Sequence, residues 1–115
     1  MEEPAGAGEL DISGNSPITA IAHHSASRRI YVSTWGGYGS APATIYLFDH
    51  NSYVRQKSFE VNTSPPEGFS MSSWWLKIQF IFPTSDGSQI WLVNRYPADL
   101  YSKPDTWSVD KISLN

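Results

Sequence analysis

The stretch RIYVSTW, residues 29–35, decides how the chain is read. Successive side chains of a strand point to opposite faces, so Ile30 and Val32 share one face while Tyr31 and Trp35 share the other. A lone antiparallel sheet with one wet face would alternate apolar with polar residues. This strand is apolar on both. QIWLVNR (89–95) repeats the property, with Ile90 and Leu92 opposing Trp91 and Val93, and LKIQFIF (76–82) sets Ile78, Phe80 and Phe82 against Ile81. Sheets made of such strands need cover on both faces. No segment shows helical periodicity over ten or more residues, so the expected cover is another sheet, from this chain or from a second one.

Working outward, the remaining strand candidates are ITAIAHH (18–24), TIYLFDH (44–50), RQKSFEV (55–61) and TWSVDKISL (106–114), with ELDIS (9–13) as a further short strand. Turn chemistry separates them: DHNS at 49–52, SDG at 85–87 and the proline-rich TSPPEG at 63–68. The expected fold is an all-β antiparallel meander of about seven or eight strands. A flexible tail over 1–8 would precede a single domain over 9–115.

The strands fall into two groups that align with each other. IAHHSASRRIYVST (21–34) lies on IFPTSDGSQIWLVN (81–94) at a displacement of 60 (81 − 21), apolar on apolar and turn on turn. The third strands follow with a shift of two more, pairing Ile45 and Leu47 with Trp107 and Val109. This predicts two internal repeats, over 18–61 and 76–114, each a propeller-like unit of up to four strands. On these residues RIYVSTWGGYGSAPATIYLFD resembles a blade of the YVTN family of β-propellers: an aromatic-valine strand, a loop, then a strand ending in a hydrophobic-Asp pair. QIWLVN and TWSVD give a more degenerate second copy. The resemblance implies stacked four-stranded blades, with ELDIS supplying the outer strand that the second unit lacks. Two blades are too few to close a ring, so it also implies a homo-oligomer; three chains would give six blades, an arrangement that resembles small homotrimeric lectins. A single β-sandwich or barrel is the alternative fold.

Bulk properties narrow the partners. A net charge of −3 and basic residues adjacent only at Arg28 and Arg29 argue against nucleic acid and anionic membranes. No cysteine means no disulfide, thiolate metal site or thiol nucleophile. Residues 2–11, EEPAGAGELD, lack the apolar core of a signal peptide, and no apolar run reaches the ~20 residues of a membrane span, so a cytoplasmic location is expected.

Five Trp, six Tyr and five Phe in 115 residues need somewhere to go. In a meander the connections 36–43, 62–75 and 96–105 emerge at one end, and they carry the rings. Trp35, Tyr38, Trp74, Tyr96 and Tyr101 are therefore the candidate ligand-binding residues, with sugar stacking as their chemistry and a sugar or a protein as partner. Burial under the loops or at a subunit contact is the competing use of the same rings. The glycines of TWGGYGSAPAT (34–44) are expected to supply positive φ in a wide hairpin loop; they lack the G-x-G-x-x-G spacing and the following helix of a phosphate cradle.

Catalysis has weaker signals. No G-x-S-x-G elbow is present, and Ser70, Ser72 and Ser73 have no histidine nearby in sequence. His23, His24 and His50 share one sheet edge, but adjacent histidines face opposite ways, so only one of the first two can meet His50. Further metal ligands are missing beyond Asp49, and no cofactor is expected. Glu67, Asp99 and Asp105 would be the carboxylates of a small hydrolase, the alternative to a non-catalytic binding or assembly module. An inhibitor or immunity-type domain is a third reading.

Overall fold

The structure, a computed structural model, describes residues 10, 12, 17–37, 42–61, 75–96 and 106–114. Strands β1 (Ile18–His24), β2 (Arg29–Thr34), β4 (Thr44–Asp49) and β5 (Arg55–Glu60) form one antiparallel meander in chain order. Strands β6 (Trp75–Pro83), β7 (Gln89–Tyr96) and β8 (Thr106–Ser113) form a second. The two-residue β3 (Gly36–Gly37) follows β2 after one residue and joins the second sheet, pairing with Trp75 and Leu76. The fold is all-β, as its two-sided apolar strands require, and the sheets stack without closing into a barrel.

Three differences from the sequence reading have physical causes. First, β3 lies inside what was expected to be only a loop. Gly36 is needed there for room rather than for positive φ: a Cβ on it would run into the Ala43 amide nitrogen and lie 2.7 Å from the Pro42 carbonyl carbon. Second, Leu10 and Ile12 lie outside any strand. They pack on Val32, Tyr46 and Phe48 of the first sheet, so the fourth strand of the second sheet is β3, at its opposite edge. Third, Arg29 pairs with Asp49 and Gln89 with Ser113, which displaces β8 from β4 by 64 residues (113 − 49), not 62. Both shifts are even, so the facing of β8 relative to β4 is unchanged. A bulge at Gln79, by contrast, puts Ile78 inside with Ile81 and leaves Phe80 and Phe82 outside, so Ile78, Phe80 and Phe82 do not share the face expected of them.

The hairpins β1–β2 and β6–β7 have the same register. Ile21 pairs with Val32 and Ile81 with Leu92, each partner 60 residues on. Both hairpins also carry a bulge at the same place, with Thr19 and Gln79 as the extra residues.

Tight turns close the far ends. The Asn51 and Ser52 amides donate to Asp49 Oδ2 at 3.0 and 2.8 Å, and with the Ser52 hydroxyl they hold that carboxyl below its ordinary pKa, the Ser52 amide contributing most. Asp86 is held down to about 2 by the Ser88 amide first, then by the Thr84 and Ser88 hydroxyls. Gly87 in the same turn has φ +73°, a conformation that costs glycine nothing.

The main core fills the space between the sheets. Tyr31, Ile45 and Leu47, with Ala20, Ala22 and Phe59 at the margins, meet Leu76, Ile78, Ile81, Ile90, Leu92 and Leu114. Lys57 reaches across the edge to donate to the Leu114 carbonyl at 3.1 Å. The second cluster, Val32, Tyr46 and Phe48 under Leu10 and Ile12, covers the other side of the first sheet. Strand β2 is buried on both faces over residues 31–34, as expected.

Candidate functional site

The second sheet breaks that expectation, and the break defines the site. Its strands alternate cleanly: β8 runs half-buried, exposed, half-buried along its length, and β7 buries Ile90, Leu92, Asn94 and Tyr96. Those buried residues face the first sheet. Their alternates, also largely apolar, face outward, and among the described residues nothing covers them. Phe80, Phe82, Trp91, Trp107 and Val109 are between 40% and 59% exposed.

Strand pairing arranges these residues in rows. Phe82, Trp91 and Lys111 lie side by side across β6, β7 and β8; Phe80, Val93 and Val109 form the next row; Arg95 and Trp107 pair in the third, with Lys77 beside Arg95. The rings of Phe80 and Phe82 stack at 6.1 Å. Lys111 Nζ sits 5.0 Å from the centroid of Trp91, and the Arg95 guanidinium carbon 6.0 Å from that of Trp107. Each cationic head thus lies within cation–π reach of a ring. The face is aromatic. It carries Lys77, Arg95 and Lys111 and no acidic residue among the described positions of this face.

Beneath the face, buried Asn94 donates from Nδ2 to Asp110 Oδ2 at 2.5 Å, whereas its Oδ1 has no partner among the described residues. The Tyr31 hydroxyl, equally enclosed, is in the same position. These are polar groups inside the sheet stack, not on its surface.

Of the five residues expected to bind a ligand, Trp35 and Tyr96 lie among the described residues. Trp35 is half-buried, with its amide donating to the Pro17 carbonyl and Lys77 Nζ 5.5 Å above its ring. Tyr96, at the end of β7, belongs to the main core and is only 3% exposed, so it packs the interior instead of lining a loop surface. Tyr38, Trp74 and Tyr101 lie outside the described residues, as do the carboxylates Glu67, Asp99 and Asp105 and the tail over 1–8.

The histidines behave as face alternation dictates. His23 Nε2 lies 3.0 Å from His50 Nδ1, while His24 turns the other way, its Nδ1 2.7 Å from the Ser27 hydroxyl. Among the described residues no group of three or more metal-ligating side chains gathers. No helix there is long and apolar enough to cross a membrane.

Sequence reasoning missed the outer face because it looked for function in loops. Residue order did not mark it: Phe80, Phe82, Trp91 and Val109 stand 60 or 64 positions after Ala20, Ala22, Tyr31 and Ile45, which the stacked sheets bury partly or fully. No family model, curated protein or solved structure matches this chain.

Proposed function

We propose that the chain is a non-catalytic binding and assembly module that works through the outer face of its second sheet, and that its two sheets are repeats stacked in the manner of propeller blades. The exposed Phe80, Phe82, Trp91, Trp107 and Val109 carry the reading. At roughly half exposure each, they offer about 500 Å² of apolar surface on three paired strands. That lies in the upper range of what a soluble monomer leaves open, where such patches mark interaction sites. The repeat reading draws support from the shared register and the matched bulges at Thr19 and Gln79.

A protein surface suits this face better than a sugar. Sugar stacking needs a bare ring face, and Lys111 and Arg95 already lie over Trp91 and Trp107. The closest fit is therefore a self-associating module. Light scattering at tens of micromolar tests it. The native chain should run above the 12.8 kDa of one copy. Phe82→Glu should run as a monomer with an unchanged circular dichroism spectrum. A monomeric native chain, or association indifferent to Phe82→Glu, would overturn the proposal.

A further inference from the structure

Resting on that reading, we infer that the occupant of the outer face is the β1 face of a second copy, docked head to tail. The chain already makes one interface of this kind within itself. Ile78, Ile81 and Ile90 of the second sheet pack into the core shared with Ala20, Ala22, Tyr31, Ile45 and Leu47 of the first. The residues equivalent to the first set, 60 positions earlier, are Ile18, Ile21 and Ile30. They lie on the first sheet's other face, and Ile18 and Ile21 are 49% and 62% exposed. The residues equivalent to the second set are Phe80, Phe82, Trp91, Val109 and Lys111, which form the open face. Both halves of a second such interface are therefore present on opposite sides of the molecule; among the described residues the second is open and the first is open at Ile18 and Ile21.

Position agrees with this pairing. Of the first sheet's strands β1 lies closest against β6, and the turn around Gly87 sits on Ser27, the residue 60 positions before it. A second copy would bring its own β1 and its Ser27 turn to the same places on the next layer. Among the described residues, Leu10 and Ile12 leave the β1 side of that approach open, because they lie over Val32, Tyr46 and Phe48 while Ile18 and Ile21 stay exposed. Phe80 and Phe82 stand where the internal interface has Ala20 and Ala22, so the layer between copies is thicker at β6.

Charge selects the same partner. Two outer faces pressed together would oppose Lys77, Arg95 and Lys111 with their own copies, and like charges in contact cost several kcal/mol. On the first sheet's outward face, the exposed Ile18, Ile21 and His23 and the half-buried Ile30 include no Lys or Arg and suit an apolar contact; Val32 and Thr34 are buried, and Arg55 lies farther across that face over Tyr46. Since the two docking faces differ, the association is heterologous and stops only where the rotation closes a ring.

The experiment uses the full chain with Ile21→Glu and Phe82→Glu, made singly and together. Each single variant should weaken association about a hundredfold, the effect of an unpaired buried charge. An equimolar mixture of the two should recover a one-to-one pair, since one intact interface remains between them. The double variant should stay monomeric in any mixture. Association lost in Phe82→Glu but kept in Ile21→Glu would overturn head-to-tail docking while leaving the outer face as the association surface. Association kept in both would overturn the docking and the proposed function together. Should either glutamate unfold the chain, Ile21→Cys with Phe82→Cys reads the same geometry, because the sequence holds no other cysteine. Oxidation should give a ladder of cross-linked copies only when both cysteines are present; cross-linking by Phe82→Cys alone would overturn the pairing.

Discussion

Ile45 and Val109 occupy equivalent places, 64 residues apart, yet one is fully buried and the other 59% exposed. Truncating each to alanine therefore tests the difference between the two sheets. Ile45→Ala removes roughly three methylene equivalents at about 0.8 kcal/mol each and leaves a void in the main core, for a total near 4 kcal/mol. Val109→Ala removes about two equivalents that are already more than half in water, so the transfer loss is about 0.7 kcal/mol. Unfolding entropy near 2.1 cal/mol/K per residue gives about 0.24 kcal/mol/K for this chain. The expected falls in melting temperature are then about 17 °C for Ile45→Ala and about 3 °C for Val109→Ala. Thermal unfolding followed by circular dichroism checks both, in solutions dilute enough to hold the chain as a monomer. At higher concentration the Val109→Ala penalty should grow, because association adds stability that this variant weakens. A dilute Val109→Ala melt as low as that of Ile45→Ala would refute the account, since it would mean that the chain covers its own outer face.

Two further outcomes follow from the turns and crossings. Gly36→Ala should cost about 3 kcal/mol or more, because the added methyl meets the backbone of Pro42 and Ala43 and forces β3 off β6; a urea midpoint equal to the native one would contradict this. For Asp86 the folded pKa of about 2 lies below the ordinary 3.8. Its contribution to stability is therefore present above pH 3.8 and fades as the pH falls toward 2. The gap in melting temperature between the native chain and Asp86→Ala should close over that window, and a gap independent of pH would show that the carboxylate is not what holds the turn.

Much of the architecture was legible from residue order. Period-two runs bounded by Asp, Gly and Pro located the long strands to within a residue or so, because alternation and turn chemistry are local properties. The divergence of His23 from His24 was legible for the same reason. The β3 crossing was not. Two glycines carry no side-chain pattern, and their pairing with Trp75 and Leu76 is set by where the second sheet comes to rest. Nor could composition assign the aromatics: Tyr96 went to the core, whereas Trp91 and Trp107 went to the surface.

The sequence by itself determined that each sheet contains strands apolar on both sides, since that follows from which residues alternate along them. Only the tertiary structure decided which of those sides stays open. Two sheets have four faces; stacking hides one face of each, and Leu10 and Ile12 shelter part of a third. The fourth, with Phe80, Phe82, Trp91, Trp107 and Val109, stays open among the described residues because a stack of two layers always ends in two outer surfaces.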